Sequence, residues 1–246
     1  MTGTQEDQKS PIIREHRVAR AWRRCARLFP WQECTLCGGY SRSALLCGFC
    51  RRDLPRAPAL SGVLQAITRT AHGDARALRR TLDLDALAVT WLYRFPLDDL
   101  IWRYKYRGEL ALAPVLARLL PSPPRVPTTL LAVPSSRQRV RERGFDAAGR
   151  LVSAYARRTR LPQVRARRLR EVPPQVGLSL QDRRQNLAHV FALPPLHGRS
   201  ILIVDDVLTS GGTLQALATA CRAAGAGWVG AVVLAMTPPP DDLPRW

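Results

Sequence analysis

Residues 201–213 read ILIVDDVLTSGGT. Four aliphatic residues run into two adjacent carboxylates, Asp205 and Asp206, and a Ser/Thr/Gly-rich turn then opens a helical pattern, GTLQALATACRAAGA. An unmixed aliphatic run suits a strand buried on both faces of a parallel sheet. Ligands of such open sheets bind beyond the carboxyl ends of the strands, which is where this strand delivers its two acids. The small residues of TSGGT let successive backbone N–H groups point inward as a nest, and a helix N-terminus adds a favourable dipole for an anion. Thr209, Ser210 and Thr213 add hydroxyl donors. A phosphate cradle beside two acceptors fits a sugar phosphate, whose phosphate needs donors and whose vicinal hydroxyls need acceptors, with Mg2+ as a suitable companion.

Working outward, PSPPRVP at 121–127 marks a break, after which the pattern alternates. TLLAVP reads as a short strand, RGFDAAGRLVSAYARRT as a helix, VRARRL as a weak strand and SLQDRRQNLAHV as a helical or mobile segment. SILIVDD is the next strand, GTLQALATACRAAGA a helix and WVGAVVLAM a strand. Strands separated by helices of this length predict parallel βαβ units and an α/β class. Upstream, LPRAPALSG at 54–62 reads as a linker, and 62–118 reads as mostly helical, including DLDALAVTWLYRF and LIWRYKYRGELALAPVLARLL. Lys105 and Arg107 in YKYRG fit a phosphate contact or a plain basic turn equally well.

Four of the six cysteines fall in ECTLCGGYSRSALLCGFC. Cys34 and Cys37 form one C-x-x-C and Cys47 and Cys50 another, with nine residues between the pairs. That spacing predicts two knuckles converging on one tetrahedral, structural Zn2+. Redox dithiols rarely come as two closely spaced pairs, and the expected cytoplasmic location argues against disulfides. Cys25 and Cys221 stand alone in helical patterns and read as small core residues. Residues 12–28 read as a basic amphipathic helix whose charged face fits solvent or nucleic-acid phosphate.

Of 38 lysines and arginines only Lys9 and Lys105 are lysines, and the formal net charge is +19. A field of that sign attracts phosphate-rich partners; arginine-rich codon usage in a GC-rich genome accounts for the composition equally well. The longest apolar stretch, GWVGAVVLAM at 227–236, is too short to span a bilayer and suits a buried strand, so membrane insertion is not expected. MTGTQEDQKSPIIREHR lacks an apolar core of the secretory kind, which makes a cytoplasmic location the expectation.

The stretch at 201–213 resembles the phosphoribosyl-pyrophosphate (PRPP) signature of type I phosphoribosyltransferases: a hydrophobic strand, two acids, then T-x-G-x-T. That resemblance implies that Asp205 and Asp206 take the ribose hydroxyls and that Thr209, Ser210, Gly211, Gly212 and Thr213 hold the 5′-phosphate. A broader likeness runs through the double C-x-x-C, KYRGE at 105–109, RERGFDAAGRL at 141–151, PPQVGLSLQDRRQNLAHVF at 173–191 and the signature, in the order seen in ComF-type proteins. These are competence-associated, phosphoribosyltransferase-like proteins, sometimes labelled GntX in Gram-negative bacteria. The chain departs from their pattern where Ser135-Ser136-Arg137 follows Val133-Pro134 in place of Leu-His-Pro, and where Asp146-Ala147 stands for Asn-Gln. The likeness implies pyrophosphate contacts from Ser135, Ser136 and Arg137, while Arg183 and Arg184 in LQDRRQNL fit either a lid that brings guanidinium groups onto pyrophosphate oxygens or a solvated helix.

An acidic pair at a strand end also occurs in receiver domains and Mg2+ phosphatases, but no T-x-G-x-T cradle follows it there; surface aspartates capping a buried strand are the plain structural alternative. The expected organisation is a basic N-terminal helix or tail over 1–30, a zinc knuckle over 31–56 and a phosphoribosyltransferase-like α/β domain with a parallel sheet over 62–246. Two functions are expected from the resemblance. One is binding of PRPP with Mg2+, with transfer of phosphoribosyl to an acceptor that the sequence does not name. The other is a non-catalytic module that binds nucleotides or single-stranded DNA, in company with competence proteins. A single-strand binder interleaves aromatics with basic residues, and Trp102, Tyr104 and Tyr106 beside Lys105 are the one such cluster.

Overall fold

The computed structural model describes residues 32–41, 45–57, 82–122, 129–170 and 190–237, and the chain divides into two units, Met1–Asp53 and Leu54–Trp246. In the smaller unit β1 (Gln32–Glu33) pairs antiparallel with β2 (Tyr40–Ser41), and α1 (Gly48–Arg52) follows. Cys47 caps α1, its thiol accepting from the backbone N–H of Cys50 at 3.4 Å. Basic 12–28 lies outside the described residues.

The larger unit is built on a parallel five-stranded sheet. Its elements in chain order are β3 (Ala86–Leu92), α2 (Leu97–Tyr106), α3 (Leu112–Leu119), β4 (Thr129–Ala132), α4 (Arg137–Arg143), α5 (Ala147–Thr159), β5 (Gln163–Val164), β6 (Arg167–Arg168), β7 (Phe191–Ala192), β8 (Ser200–Leu208), α6 (Gly212–Ala223) and β9 (Trp228–Met236). The strands stand in the order β3-β9-β8-β4-β5, and β6 and β7 form a separate antiparallel ribbon. Pro55 and Ala57 run beside β3, with Leu92 N–H donating to Pro55 C=O at 2.8 Å and Ala57 N–H to Thr90 C=O at 3.0 Å.

Burial explains why the sequence announces some strands and hides others. Ile201 to Val204 are fully buried, as are Val229 and Ala231 to Ala235, so the central strands read as unmixed apolar runs. Ile201 and Ile203 pack with Val229, Ala231 and Val233 against Leu214, Leu217 and Cys221 of α6. Leu202 and Val204 alternate with them and project to the other face. Each such aliphatic side chain contributes about 1.5–3 kcal/mol by leaving water.

Three expectations need correction. DLDALAVTWLYRF is not helical: Ala86–Leu92 is the edge strand β3, paired along its length with β9. Its Val, Thr and Trp suit a pleated surface, and the partner strand overrides the helical propensity of its Leu and Ala. RGFDAAGRLVSAYARRT is not one helix, because Gly144 ends α4 in the left-handed region at φ 75 and α5 starts at Ala147. VRARRL is not a single strand; Gln163–Val164 joins the sheet edge and Arg167–Arg168 pairs with Phe191–Ala192.

The topology also locates a crevice. From β4 the chain passes through α5 to β5 on one side of the sheet, whereas from the adjacent β8 it passes through α6 to β9 on the other. Neighbouring strands whose connections leave in opposite directions make a topological switch point, and a cleft opens beyond their carboxyl ends.

Candidate functional site

The carboxyl end of β8 presents Asp205 and Asp206 at that switch point, with Ala132 at the end of β4 paired to Val204. Asp205 Oδ1 accepts from the Asp206 backbone N–H at 2.9 Å. Burial and the neighbouring Asp206 charge push the Asp205 carboxyl up to about 7, a rise that this N–H bond, Lys105 and Arg139 only partly offset. Asp206 is itself buried, and Lys105 Nζ of α2 donates to its Oδ1 at 2.7 Å.

The turn after β8 is shaped for close approach. Gly211 is the N-cap of α6 at φ 78, and a Cβ there would stand 2.9 Å from Leu82 Cδ2, so both the backbone conformation and the space call for glycine. No side chain caps α6, so the first-turn amides have no side-chain acceptor, as a helix N-terminus suited to an anion requires. Thr209 and Ser210 are exposed, and Gly212 and Thr213 are half-buried at the helix start. The five residues of the expected cradle are therefore contiguous and sit directly beside the acidic pair.

Across the switch point the loop after β4 brings Ser135, Ser136 and Arg137 to the same end of the sheet. Ser135 Oγ donates to Asp146 Oδ1 at 2.9 Å. Ser136 caps α4 by accepting from the Arg139 N–H at 3.2 Å, and Arg137 is exposed on its first turn. The departures Ser135 and Asp146 are thus partners of each other, and Gly149 makes room for the Asp146 carboxylate, since a Cβ there would collide with it. Sequence reasoning missed Arg168, which holds this loop by donating to the Pro134 carbonyl from Nε at 3.1 Å and from Nη2 at 2.8 Å. Arg183 and Arg184 lie outside the described residues.

YKYRG resolves into two roles. Lys105 reaches Asp206, whereas the Arg107 guanidinium lies 4.9 Å over the Trp102 ring. The Trp102 and Tyr106 rings are 6.3 Å apart, and Arg143 stacks 4.7 Å over Tyr106. Trp102 is 43% and Tyr106 60% exposed, so the surface carries two neighbouring rings flanked by guanidinium groups. Tyr104 does not belong to it: its ring is fully buried, and its hydroxyl donates to Ala147 C=O at 2.7 Å.

In the smaller unit the sulfurs of Cys34, Cys37, Cys47 and Cys50 all lie within 4.8 Å of one another. The Cys37 and Cys47 sulfurs are 3.8 Å apart. A tetrahedral zinc with bonds of about 2.3 Å sets its ligand sulfurs about 3.8 Å apart, so this donor set fits the ion. Cys47 N–H also donates to Cys34 Sγ at 3.3 Å, as expected of a knuckle that carries thiolate charge. Cys221 is buried in the sheet core, while Cys25 lies outside the described residues. Among the described residues no helix is long and apolar enough to cross a membrane.

The family model for the phosphoribosyl transferase domain matches residues 108–244. Competence protein F of Haemophilus influenzae is 28% identical over 195 residues, 73% of this chain and 85% of that protein. DNA utilization protein YhgH of Escherichia coli K12 is 27% identical over 201 residues, 76% of this chain and 83% of its own length. Adenine phosphoribosyltransferase of Mycobacterium marinum is 35% identical over 96 residues, 37% of this chain and 52% of that protein. With the matched range taking in β4, β8 and the loops that follow them, the chain belongs to the phosphoribosyl transferase domain family, as a ComF-type member.

Proposed function

We propose that the cleft between β4 and β8 binds PRPP, or a closely related ribose phosphate, together with Mg2+. The observation that carries this reading is the meeting, at one switch point, of an acidic pair with a helix N-terminus that no side chain caps. Asp205 and Asp206 accept the ribose hydroxyls, and the amides and hydroxyls of Thr209 to Thr213 hold the 5′-phosphate. Ser135, Ser136 and Arg137 face the pyrophosphate, and Arg183 and Arg184 are assigned to the same end of the ligand from the sequence pattern. Mg2+ arrives on the pyrophosphate oxygens, because Lys105 already neutralises Asp206 and leaves little charge for a resident cation.

Phosphoribosyl transfer then breaks the bond from C1 to pyrophosphate and forms one from C1 to an acceptor nucleophile. The chain contributes positioning and stabilisation of charge on the leaving group. Zn2+ in the four-cysteine cluster has a structural role in this reading, since four thiolates leave no open position for a substrate.

Calorimetric titration of PRPP with Mg2+ into the wild type and the Asp205→Asn/Asp206→Asn variant tests the site. Micromolar binding by the wild type, lost in a variant that melts normally, supports it; equal affinity in both sinks the assignment.

A second reading rests on the row Arg107, Trp102, Tyr106 and Arg143. Exposed neighbouring rings flanked by guanidinium groups suit stacking of unpaired bases, and the net charge of +19 favours their phosphates. The names of the Haemophilus and Escherichia relatives, competence and DNA utilization proteins, point the same way. In this reading the chain handles single-stranded DNA together with competence proteins in the cytoplasm.

A further inference from the structure

The acidic pair at the end of β8 has a cationic partner from a distant part of the chain, Lys105 of helix α2. The contact joins residues 101 positions apart at 2.7 Å, and the two side chains are only 16% and 11% exposed. A surface lysine gains little by giving up its rotamer freedom for such a pair, whereas one held in place at low exposure makes a strong, directed bond.

The helix that carries the lysine is anchored by the two residues before it. Tyr104, the residue before it, is buried and bonded to Ala147 C=O at 2.7 Å. Arg103 forks onto Glu109 at 2.9 and 2.6 Å and also meets Asp99 at 3.5 Å. These contacts fix where helix α2 starts the lysine side chain, and its low exposure and bond to Asp206 hold the far end.

A carboxylate accepts through two oxygens, and Lys105 occupies only Oδ1 of Asp206, leaving Oδ2 for a ribose hydroxyl. Two adjacent acids beside a phosphate cradle also repel the polyanion that the cradle is built for. An ammonium at hydrogen-bond distance offsets one of them.

We propose that Lys105 is a positioning residue of the ribose-phosphate site, which orients Asp206 as a hydroxyl acceptor and removes the negative charge that would repel the ligand's phosphates. The inference rests on the PRPP reading above.

The test is titration of Mg2+–PRPP, and separately of ribose 5-phosphate, into wild type, Lys105→Met, Lys105→Gln, Lys105→Arg, Asp206→Asn and Lys105→Met/Asp206→Asn protein, each first checked by thermal melting. Lys105→Met should weaken PRPP at least about tenfold and the less charged ribose 5-phosphate by less. Lys105→Arg should recover affinity to within about threefold, and Lys105→Met should add less than about twofold on top of Asp206→Asn, because contacting groups do not act additively. Lys105→Gln keeps a polar tip and gives the same reading should the methionine variant fold poorly. Wild-type affinity in the folded neutral variants, or equal losses for both ligands without rescue by arginine, overturns the proposal alone. A wild-type protein that binds neither ligand overturns it together with the PRPP reading.

Discussion

Two like charges side by side at a strand end ask how each is tolerated, and the two aspartates are settled differently. Asp206 has an ammonium at 2.7 Å, whereas Asp205 relies on one backbone N–H and remains the acid whose ionisation burial and its neighbour oppose. In an unfolded chain an aspartate titrates near 3.9, well below its value of about 7 in the fold. The folded state therefore holds this proton more tightly, and the stability linked to it is fully present below about pH 4 and lost as pH rises through 7. Asp205→Asn, which carries no charge at any pH, escapes that loss. The variant should melt close to the wild type at pH 4 and above it at pH 8, by up to about 4 kcal/mol given the distance between 3.9 and about 7. Thermal scans across this range decide it: a difference between variant and wild type that stays constant with pH means that the carboxyl is not held in its neutral form.

At the scale of elements, what was legible in the sequence follows from burial. β8, α6 and β9 were readable because strands covered on both faces are written in one class of residue, and because the acids and TSGGT mark where that class ends. β3 was not, since an edge strand of partly exposed Ala and Leu carries no clean alternation, and only its pairing with β9 makes it extended. The contact of Lys105 with Asp206 was beyond reading for a different reason: it joins segments 101 residues apart, and no local pattern records a tertiary contact. The cysteine cluster was the opposite case, because a metal site is specified by spacing alone. Its described residues bury only Cys34, Leu46 and Cys47 as apolar groups, too few to hold a unit together without a staple. Protein purified under reducing conditions should therefore contain one zinc per chain, and Cys34→Ser should release it. Chelation should unfold the knuckle, since metal binding is the folding energy of such units, while the far-UV signal of the sheet persists. A metal assay that finds no zinc, or a chelated protein whose knuckle amides stay protected, contradicts this.

For the molecule as a whole, net charge and surface detail make separable demands. A charge of +19 draws any polyanion regardless of what else the surface carries, so attraction to DNA by itself says nothing about a built site. The row of Arg107, Trp102, Tyr106 and Arg143 adds something that charge does not, namely flat apolar faces held between cations and open to solvent. Phosphate contacts release counterions and weaken steeply with salt, whereas base stacking is much less sensitive to it. Affinity for single-stranded DNA should thus fall with a steep logarithmic salt slope for the wild type. The Trp102→Ala/Tyr106→Ala variant should keep that slope but bind about tenfold more weakly at every salt concentration, as expected from about 1–3 kcal/mol per stacked base. It should also lose its preference for single strands over duplex, because only unpaired bases offer their faces. If instead the aromatic variant binds as the wild type does and both treat duplex and single strands alike, the positive charge alone accounts for DNA binding. The row would then be a feature of the fold, with Arg143 and Arg107 there to shield two exposed rings.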